Sequence, residues 1–441
     1  MLTAPSGVSR DLFARVSDAR HRSDSLFQVV RESALYQRPI PERHRIIFYI
    51  GHLEAFDWNL LHESPLGLKS VHPELDRLFA FGIDPVGGGL PDDQPSDWPS
   101  LESVRDYVSR TRAALDKQLF DGVVEADLAR DGFLLSALLN VAIEHRLMHV
   151  ETLAYMLHQL PLDSKIPQAD PPLLASSRVI PRMLEIPAGT ATLGLFRGSS
   201  EFGWDNEYEA NSRLVPTFEI DQYKVTNRQY LEFIMSGGYE TRDFWSEDDW
   251  NWKNANGVSH PVFWQKAGDR WLYRTMFEEI PLPLDWPVYV SHAEATAYAG
   301  WAGKSLPSEE QWHRAACGGL HGMETRYPWG RDVPAATLGN FDFHRWNPIA
   351  VNASPRGRSA FGVDDILGNG WEWTSTVFAP FPGFEPFPFY RGYSADFFDG
   401  KHFVMKGGSA RTAACMLRPT FRNWFQAHYQ YVYAGFRCVR H

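Results

Sequence analysis

Hydrophobic positions recur every three or four residues along four long stretches in the first third of the chain. This spacing places the apolar side chains on one face of a helix, and little glycine interrupts it. The stretches begin near residues 9, 41, 100 and 131, where Pro41 can open the second helix and Ser100 can cap the third. The pattern predicts a bundle of four helices within residues 1–160.

The pattern changes near residue 182, where short segments replace the long amphipathic ones. Segments such as MLEIPAGTATLGL and FEIDQYKVTN are typical of short strands, and Gly, Pro, Trp and Asn are frequent between them. One clear helix is indicated in SHAEATAYAGWAG, because Ser291 is followed three residues later by Glu294, as in a capping box. We therefore predict an irregular α+β domain over residues 182–441 and a proline-rich linker over residues 161–181.

Length and charge narrow the class of protein. A chain of 441 residues exceeds what one hydrophobic core usually supports, which favours two domains. The formal net charge of −11 lacks the basic surface of a nucleic-acid binder, and no run of about 18 apolar residues could span a bilayer. The first segment, MLTAPSGVSRDLFARV, has no apolar signal core. We expect a soluble cytoplasmic protein that binds neither nucleic acid nor a membrane.

The candidate chemistry of the first domain lies in the segment IEHRLMHVET of the fourth predicted helix. His145 and His149 are four residues apart, which places both imidazoles on one helix face, about one turn apart, as two ligands of one metal ion require. His52 in the apolar second helix is a candidate third ligand, because an unpaired imidazole is costly to bury. The alternative is a pair of histidines that make ordinary hydrogen bonds.

Other residues limit this metal hypothesis. His44 and His62 compete with His52, but both lie nearer to a helix end, where solvation explains them. The zinc-protease motif requires Glu directly after the first His, whereas Arg146 follows it here and Glu144 precedes it. Three imidazoles suit zinc with one open position and Fe(II) with three open positions equally well, so the residues alone leave the metal undecided.

Two family resemblances extend this picture. The second half resembles the formylglycine-generating-enzyme-like domain, a fold related to C-type lectins, in the motifs IPAGTATLGL, DQYKVTNRQYLEFI, WPVYVSHAEATAYAGWAGKSLPSEEQWHRAA, YPWG, DILGNGWEWTSTVF, KGGSARTAACMLRPTFRN and AGFR. The first half resembles a DinB-like four-helix bundle, whose members carry one His on the second helix and an HxxxH pair on the fourth. In this order the two domains resemble the ergothioneine-type sulfoxide synthases and the selenoneine synthases, which are mononuclear non-haem iron enzymes acting on hercynine, the trimethylated betaine of histidine.

The resemblance implies Fe(II) on His52, His145 and His149, with O2 as a co-substrate. Copper chemistry is not expected. Formylglycine-generating enzymes bind copper through two cysteines near the segment that reads GGS here, and Cys415 is the one cysteine of this chain that lies there. The three cysteines are also too few and too scattered for a disulfide framework, so we expect Cys317, Cys415 and Cys438 to be packing residues.

The resemblance also assigns residues of the second domain to the iron-centred pocket. The segment YRGYS supplies Tyr390 and Tyr393, and FRNW supplies Asn423 and Trp424. Tyr390 is the expected catalytic residue, since a phenol can donate a proton or an electron during oxygen chemistry. Asn423 can hold a carboxylate or an amine, and the rings of Tyr393 and Trp424 suit a trimethylammonium group. Core packing is the alternative interpretation for the three aromatic residues.

Departures from the sulfoxide-synthase pattern concern the substrates. Met148 stands where those enzymes have a residue that contacts the substrate imidazole, and it cannot make an amide hydrogen bond. Those enzymes bind γ-glutamylcysteine with arginines in the loop after the second helix and with Asp and Arg after FRNW. This chain has Asp92 and Asp93 in the loop, and Phe425 and Tyr429 after Trp424. Carboxylates accept hydrogen bonds from sugar hydroxyls, so a selenosugar donor is favoured, unless both aspartates are simply solvated.

The sequence therefore predicts an O2-dependent enzyme that acts on small molecules. It forms a C–Se or C–S bond at the imidazole carbon of hercynine, and a selenoneine synthase with a selenosugar donor is the favoured interpretation. One alternative is an ergothioneine-pathway sulfoxide synthase that uses cysteine or γ-glutamylcysteine. Another is a non-catalytic metal- or ligand-binding module, because a fold does not fix a function.

Overall fold

The structure, a computed structural model, describes residues 10–62, 65–80, 91–120, 129–172, 177–319 and 322–441. The chain divides into two compact units, Met1–Gln168 and Ala169–His441, called here the N-terminal and the C-terminal unit. Within the described ranges, no helix combines the length and the apolar character that crossing a membrane requires.

The N-terminal unit is a helical bundle. Its described helices are α1 (Arg10–Phe27), α2 (Ile46–Leu61), α3 (Pro73–Leu78), α4 (Leu101–Phe120) and α5 (Leu135–His158). A short hairpin of β1 (Ala129–Arg130) and β2 (Phe133–Leu134) precedes α5. Helix α1 packs on α5, and α2 packs on both α4 and α5. The four long helices confirm the predicted bundle, and the short α3 is an addition that the hydrophobic pattern did not indicate.

Helix α2 begins later than the sequence predicts. The predicted start was Pro41, but Ile46 is the first helical residue. Arg45 before it is extended, and its guanidinium donates to the Asp93 carboxylate at 2.8 Å and to the Tyr36 carbonyl at 2.8 Å. These contacts hold the backbone before Ile46 in a non-helical conformation.

A buried charge network joins the helices of the bundle. Arg146 of α5 is 1% exposed and donates to the Glu54 carboxylate of α2 at 2.9 Å and to Asp57 at 2.6 Å. Arg112 of α4 donates to the same Glu54 oxygen at 2.6 Å and makes two bonds of 2.7 Å to Asp24 of α1. Burial acts to raise the pKa of Glu54, but the charges of Arg146 and Arg112 outweigh it and lower that pKa to about 2. The guanidiniums of Arg112 and Arg146 thus connect α1, α2, α4 and α5 through hydrogen bonds.

The C-terminal unit combines short helices with small sheets. Its described helices are α6 (Asn227–Met235), α7 (Glu247–Ala255), α8 (His292–Trp301) and α9 (Glu309–Cys317). Its described strands are β3 (Met183–Ile186), β4 (Gly189–Leu193), β5 (Asn211–Val215), β6 (Phe218–Asp221), β7 (Trp264–Ala267), β8 (Arg270–Arg274), β9 (Glu279–Pro281), β10 (Trp371–Val377), β11 (His402–Lys406), β12 (Asn423–Gln426), β13 (Ala434–Gly435) and β14 (Val439–Arg440). This mixture confirms the predicted irregular α+β domain.

The strands form separate small sheets with the orders β14-β6-β3, β4-β5, β7-β8-β9 and β12-β11-β10-β13. In the last of these, β10 and β13 run parallel, and the other neighbours are antiparallel. An apolar core that includes Trp312 of α9 packs this helix against the sheet of β14, β6 and β3. Helix α8 begins with the predicted capping box, in which Ser291 accepts from the Glu294 amide at 3.2 Å and Glu294 accepts from the Ser291 amide at 2.8 Å.

The described part of the predicted linker, 161–181, makes specific contacts with each unit. Lys165 is 1% exposed, and its ammonium donates to two backbone carbonyls at the end of α5, at 3.1 and 3.3 Å. Further along, the Asp170 carboxylate accepts from the backbone amides of Trp346 and Asn347 at 2.7 and 3.2 Å. The beginning of this segment is therefore bound to the bundle, and its later part to the C-terminal unit.

Candidate functional site

Three histidines of the N-terminal unit converge between α2 and α5. His52 lies on α2, and His145 and His149 lie one turn apart on α5. One ring nitrogen from each histidine lies within 4.8 Å of the other two. Their side chains are buried, with 3% to 5% of the surface exposed. The structure thus brings together the three residues that the sequence predicts as metal ligands.

A backbone carbonyl orients His52. Its Nδ1 lies 2.7 Å from the carbonyl oxygen of Phe79, the residue that directly follows α3. A carbonyl can only accept, so Nδ1 carries the proton and Nε2 carries the lone pair. Gly51 permits this approach, because a Cβ at that position would lie 2.5 Å from the Phe79 ring. Metal-binding histidines commonly donate their second ring nitrogen in this way.

The environment keeps all three histidines neutral. Burial lowers the pKa of His52 to about 4, and burial also lowers the pKa of His145 and of His149 well below the ordinary value. Among the residues that the structure describes, neither Nε2 of His52 nor Nδ1 of His149 has a hydrogen-bond partner. A buried polar atom without a partner costs about 1–3 kcal/mol. A metal ion held by neutral imidazoles fits this arrangement.

Aromatic rings cover the histidines. The Phe48 ring stacks on His52 with ring centroids 4.9 Å apart, and the Phe56 ring stacks on His145 at 3.4 Å. These apolar neighbours keep water from the imidazoles, which is the physical origin of their low pKa values.

The competing histidines lie outside this group. The His44 ring packs against Phe48 with centroids 4.2 Å apart. The His62 ring stacks on Trp58, and its Nδ1 lies 2.9 Å from the Trp58 carbonyl oxygen. Met148 precedes the last histidine of the group on α5 and is half-buried.

The two loop aspartates differ in their surroundings. Asp92 is exposed, whereas the Asp93 carboxylate is bound by Arg38, by Arg45 and by the indole nitrogen of Trp98 at 2.7 Å. Burial acts to raise the pKa of Asp93, but these hydrogen bonds and charges lower it. Asp93 therefore anchors the loop to the segment before α2. The rest of the predicted donor loop, residues 81–90, lies outside the described residues.

In the C-terminal unit, the structure gathers Tyr390, Tyr393 and Trp424 in one aromatic cluster. The ring centroids of Tyr390 and Tyr393 are 5.4 Å apart, and those of Tyr393 and Trp424 are also 5.4 Å apart, nearly perpendicular at 78°. Tyr393 is 8% exposed and stacks on Trp204 at 4.0 Å, so packing accounts for much of its surface. Trp424 stacks on Phe378 at 4.2 Å. Tyr390 and Trp424 remain half-buried and keep part of their rings exposed.

Asn423 and Phe425 flank Trp424 on β12. The Asn423 side-chain oxygen accepts from the Trp424 amide at 2.9 Å. The Phe425 ring stacks on Tyr429 at 4.8 Å. Because successive residues of a strand point to opposite faces, Asn423 and Phe425 share one face of β12 and Trp424 lies on the other.

A segment that no sequence pattern indicated, Trp204–Glu207, holds this cluster. Trp204 stacks on Tyr393, and Asp205 accepts from the Ser394 hydroxyl at 2.5 Å. Glu207 accepts from the guanidinium of Arg418 at 2.8 Å, a few residues before FRNW. Asp205–Glu207 forms one 3-10 turn, and the hydrogen-bond partners Ser394 and Arg418 lie 189 and 211 residues further along the chain. No local spacing could have revealed it.

Both units have known relatives. Residues 171–441 match the Sulfatase-modifying factor enzyme 1-like domain family, and residues 15–153 match the DinB superfamily. Hercynine oxygenase of Mycolicibacterium smegmatis is 36% identical over 98% of this chain and 99% of its own length. Hercynine oxygenase of Mycolicibacterium thermoresistibile is 38% identical over 97% of this chain and 94% of its own. Ergothioneine biosynthesis protein 1 of Neurospora crassa is 28% identical over 94% of this chain and 56% of its own. The two bacterial relatives align with both units at once.

Proposed function

Because the chain belongs to the ergothioneine-type sulfoxide synthase family, we propose that it is an O2-dependent, mononuclear non-haem iron enzyme acting on hercynine. It forms a carbon–chalcogen bond at the imidazole carbon between the two ring nitrogens. The observation that carries the proposal is the convergence of His52, His145 and His149 within 4.8 Å. This group occurs in a chain that is 36% identical, over 98% of its length, to a hercynine oxygenase.

The histidine group can hold iron(II). Imidazole is a suitable ligand for iron, and three of them would leave coordination positions open for substrate and dioxygen. When bound, iron supplies the redox chemistry by which dioxygen oxidises the two substrates. The protein contributes orientation and water exclusion: the Phe79 carbonyl fixes the lone pair of His52, and aromatic rings cover the imidazoles.

The aromatic cluster of the C-terminal unit suits the other needs of the reaction. We assign Tyr390 the transfer of a proton or an electron, because its phenol belongs to a half-buried ring beside Tyr393. We assign the half-buried ring of Trp424 and the exposed part of Tyr393 to the trimethylammonium group, at about 0.5–2 kcal/mol for each contact. Asn423 lies on the opposite face of β12 from Trp424 and offers an amide to a substrate carboxylate.

Two apolar residues, one in each unit, are further proposed substrate contacts. Met148 of α5 replaces an amide contact to the imidazole with a thioether. Phe425 offers a ring on the same face of β12 as Asn423. Neither side chain can make a conventional hydrogen bond to a substrate, so each would act through shape and dispersion.

A selenosugar is the donor that the charges of the donor loop favour. Arg38 and Arg45 lie beside the described part of the loop, but both are paired with Asp93, and Asp92, the residue before it in the chain, is exposed. A donor with carboxylates would meet neutralised guanidiniums and one exposed negative charge. Sugar hydroxyls donate to a carboxylate without that repulsion. A selenol is also more acidic than a thiol and therefore is a better anionic nucleophile at neutral pH.

The donor preference leads to a kinetic prediction. With hercynine, Fe(II) and air, we expect the selenosugar to have a kcat/KM at least ~10-fold above that of γ-glutamylcysteine, equivalent to about 1.4 kcal/mol of discrimination. Cysteine, which has one carboxylate fewer, should lie between them. Asp92→Asn should narrow the difference, whereas the matched change Asp97→Asn, at another exposed residue of the same segment, should not. Efficient use of γ-glutamylcysteine without turnover of the selenosugar would identify an ergothioneine-pathway sulfoxide synthase instead.

The role of Tyr390 is tested by removing its hydroxyl alone. Tyr390→Phe should keep the affinity for hercynine and lower kcat by about 10²–10⁴-fold, or change the product, because it removes a proton donor without changing the ring. Tyr223→Phe, at another half-buried tyrosine of the C-terminal unit, serves as the control. Hercynine binding by calorimetry and product formation by mass spectrometry are the measurements. If Tyr390→Phe keeps the wild-type turnover rate and products, Tyr390 has a packing role only.

A further inference from the structure

Two adjacent residues, Trp204 and Asp205, contact the two ends of the segment that carries Tyr390 and Tyr393. Asp205 is fully buried and accepts the Ser394 hydroxyl at 2.5 Å. The centroid of the Trp204 ring lies 6.2 Å from that of Phe387. Phe387 precedes Tyr390 by three residues, and Ser394 directly follows Tyr393. Contacts from Trp204 and Asp205 thus hold the segment Phe387–Ser394 at both ends.

Neighbouring contacts reinforce this arrangement. Trp204 also stacks on Tyr393 with centroids 4.0 Å apart. The Asn206 side chain donates to the Ser394 hydroxyl at 2.9 Å, so that this hydroxyl both accepts and donates. The residues on either side of Asp205 therefore hold the same two ends of the segment.

Inside the segment, the backbone makes two consecutive turns. The Tyr390 amide donates to the Phe387 carbonyl at 3.0 Å, and the Tyr393 amide donates to the Tyr390 carbonyl at 3.2 Å. Ordering such a stretch costs conformational entropy at every residue, and no helix or sheet ladder runs through these described residues to offset it. The fixed ends are consequently what keeps the two tyrosines in one position.

Asp205 is held at a cost to the fold. Burial raises its pKa to about 6, above the value of 3.8 that it has in an unfolded chain. A carboxyl group whose folded pKa is raised lowers stability as the pH rises between these two values, so its ionised form does not stabilise the protein at neutral pH. Ionisable groups whose pKa is shifted by burial in this way are common at functional sites.

We propose that Asp205 is a positioning residue for Tyr390 and Tyr393, acting through the Ser394 hydroxyl and not by contact with substrate. The inference rests on the proposed function, since it gives these tyrosines their part in turnover. A shift of about 1 Å in a reacting group can cost about 10²-fold in rate. Loosening either end of the segment should therefore lower kcat while leaving the rest of the C-terminal unit folded.

The test compares Asp205→Asn and Ser394→Ala with a matched control, Asp170→Asn. Asp170 is another carboxylate that holds a loop of the C-terminal unit, and it accepts from the backbone amides of Trp346 and Asn347. Each variant is made in the full iron-loaded chain. Amide hydrogen exchange of the segment Phe387–Ser394, the unfolding temperature, and kcat and KM with hercynine are measured. Ser394→Ala keeps the test possible if Asp205→Asn does not fold.

In Asp205→Asn and Ser394→Ala, we expect faster exchange within Phe387–Ser394, a kcat lowered ~10²-fold, and an unfolding temperature within a few degrees of wild type. Asp170→Asn should accelerate exchange around Trp346 and keep the wild-type kcat. Unchanged exchange within the segment, or faster exchange with unchanged kcat and KM, would overturn the positioning role. Absence of hercynine turnover in the wild type would contradict the proposed function, while the exchange data would still decide whether Asp205 holds the segment.

Discussion

Replacing His149 by alanine is expected to abolish iron binding and hercynine turnover. The change removes one of three nitrogens that lie within 4.8 Å of one another. Loss of an outer-sphere partner of a metal site already costs about 10–100-fold in affinity or activity, so loss of a ligand should cost more. His52→Ala and His145→Ala should behave alike. Because the histidines belong to the N-terminal unit, the C-terminal unit should stay folded.

The matched control is His62→Ala. His62 also lies near α2, but its ring stacks on Trp58 and its Nδ1 lies 2.9 Å from the Trp58 carbonyl oxygen. This variant should keep one iron per chain and the wild-type rate. Iron content by elemental analysis and turnover by product mass are the measurements. Stoichiometric iron with full activity in His149→Ala would show that the catalytic metal lies elsewhere.

Arg146→Met should lower the free energy of unfolding by about 3–5 kcal/mol, the effect expected when one partner of a buried ion pair is removed. The change leaves Glu54 and Asp57 buried without the guanidinium that both contact at 2.9 and 2.6 Å. The fold is affected more than the metal, because this side chain is bound to the charge network and not to the histidines. Denaturant unfolding followed by circular dichroism measures the loss.

The pH dependence of this loss identifies its cause. The folded pKa of Glu54 is lowered to about 2, so the charge interaction stabilises the wild type above the ordinary carboxyl pKa of about 4.5 and fades as the pH falls towards 2. The difference between wild type and Arg146→Met should therefore shrink on acidification. Arg110→Met, which removes an exposed arginine paired with Asp106 on α4, should cost less than about 1 kcal/mol at every pH. An equal loss in both variants would contradict the network.

The features of the molecule that follow from residues close together in the chain could be predicted from the sequence. The amphipathic period predicted the four long helices, and the interval of four residues placed His145 and His149 on one face of α5. The burial cost of an imidazole pointed to His52 on another helix. The family resemblance is confirmed by relatives that align with the whole chain, and with it the prediction of an enzyme rather than a non-catalytic module.

Features that depend on distant partners were not predictable in the same way. Arg146 was noted only because it replaces the glutamate of a protease motif, whereas its carboxylate partners lie 92 and 89 residues earlier in the chain. Asp205 and Ser394 are 189 residues apart. The late start of α2 has the same origin, because Asp93 binds the arginine that precedes this helix. Such pairs leave no periodic signal in one sequence.

The chemistry of the donor loop needed the structure for a related reason. Two adjacent aspartates look alike in sequence, but the fold pairs Asp93 with Arg38 and Arg45 and leaves Asp92 exposed. The proposed donor preference therefore rests on the balance of charges around the loop and not on the count of aspartates. The proposal of iron rests on the family alone, since three imidazoles accept zinc as readily as iron.

The most direct test of the central claim uses hercynine deuterated at the imidazole carbon between the two nitrogens. The purified full chain is loaded with Fe(II) and incubated in air with this substrate and either a selenosugar or a thiol donor. The masses of the products are measured by mass spectrometry. The proposed function predicts a product that has gained the donor chalcogen and lost the deuterium, and that does not form without oxygen or with His149→Ala. Recovery of all the hercynine with its deuterium, from every donor and with iron bound, would contradict it.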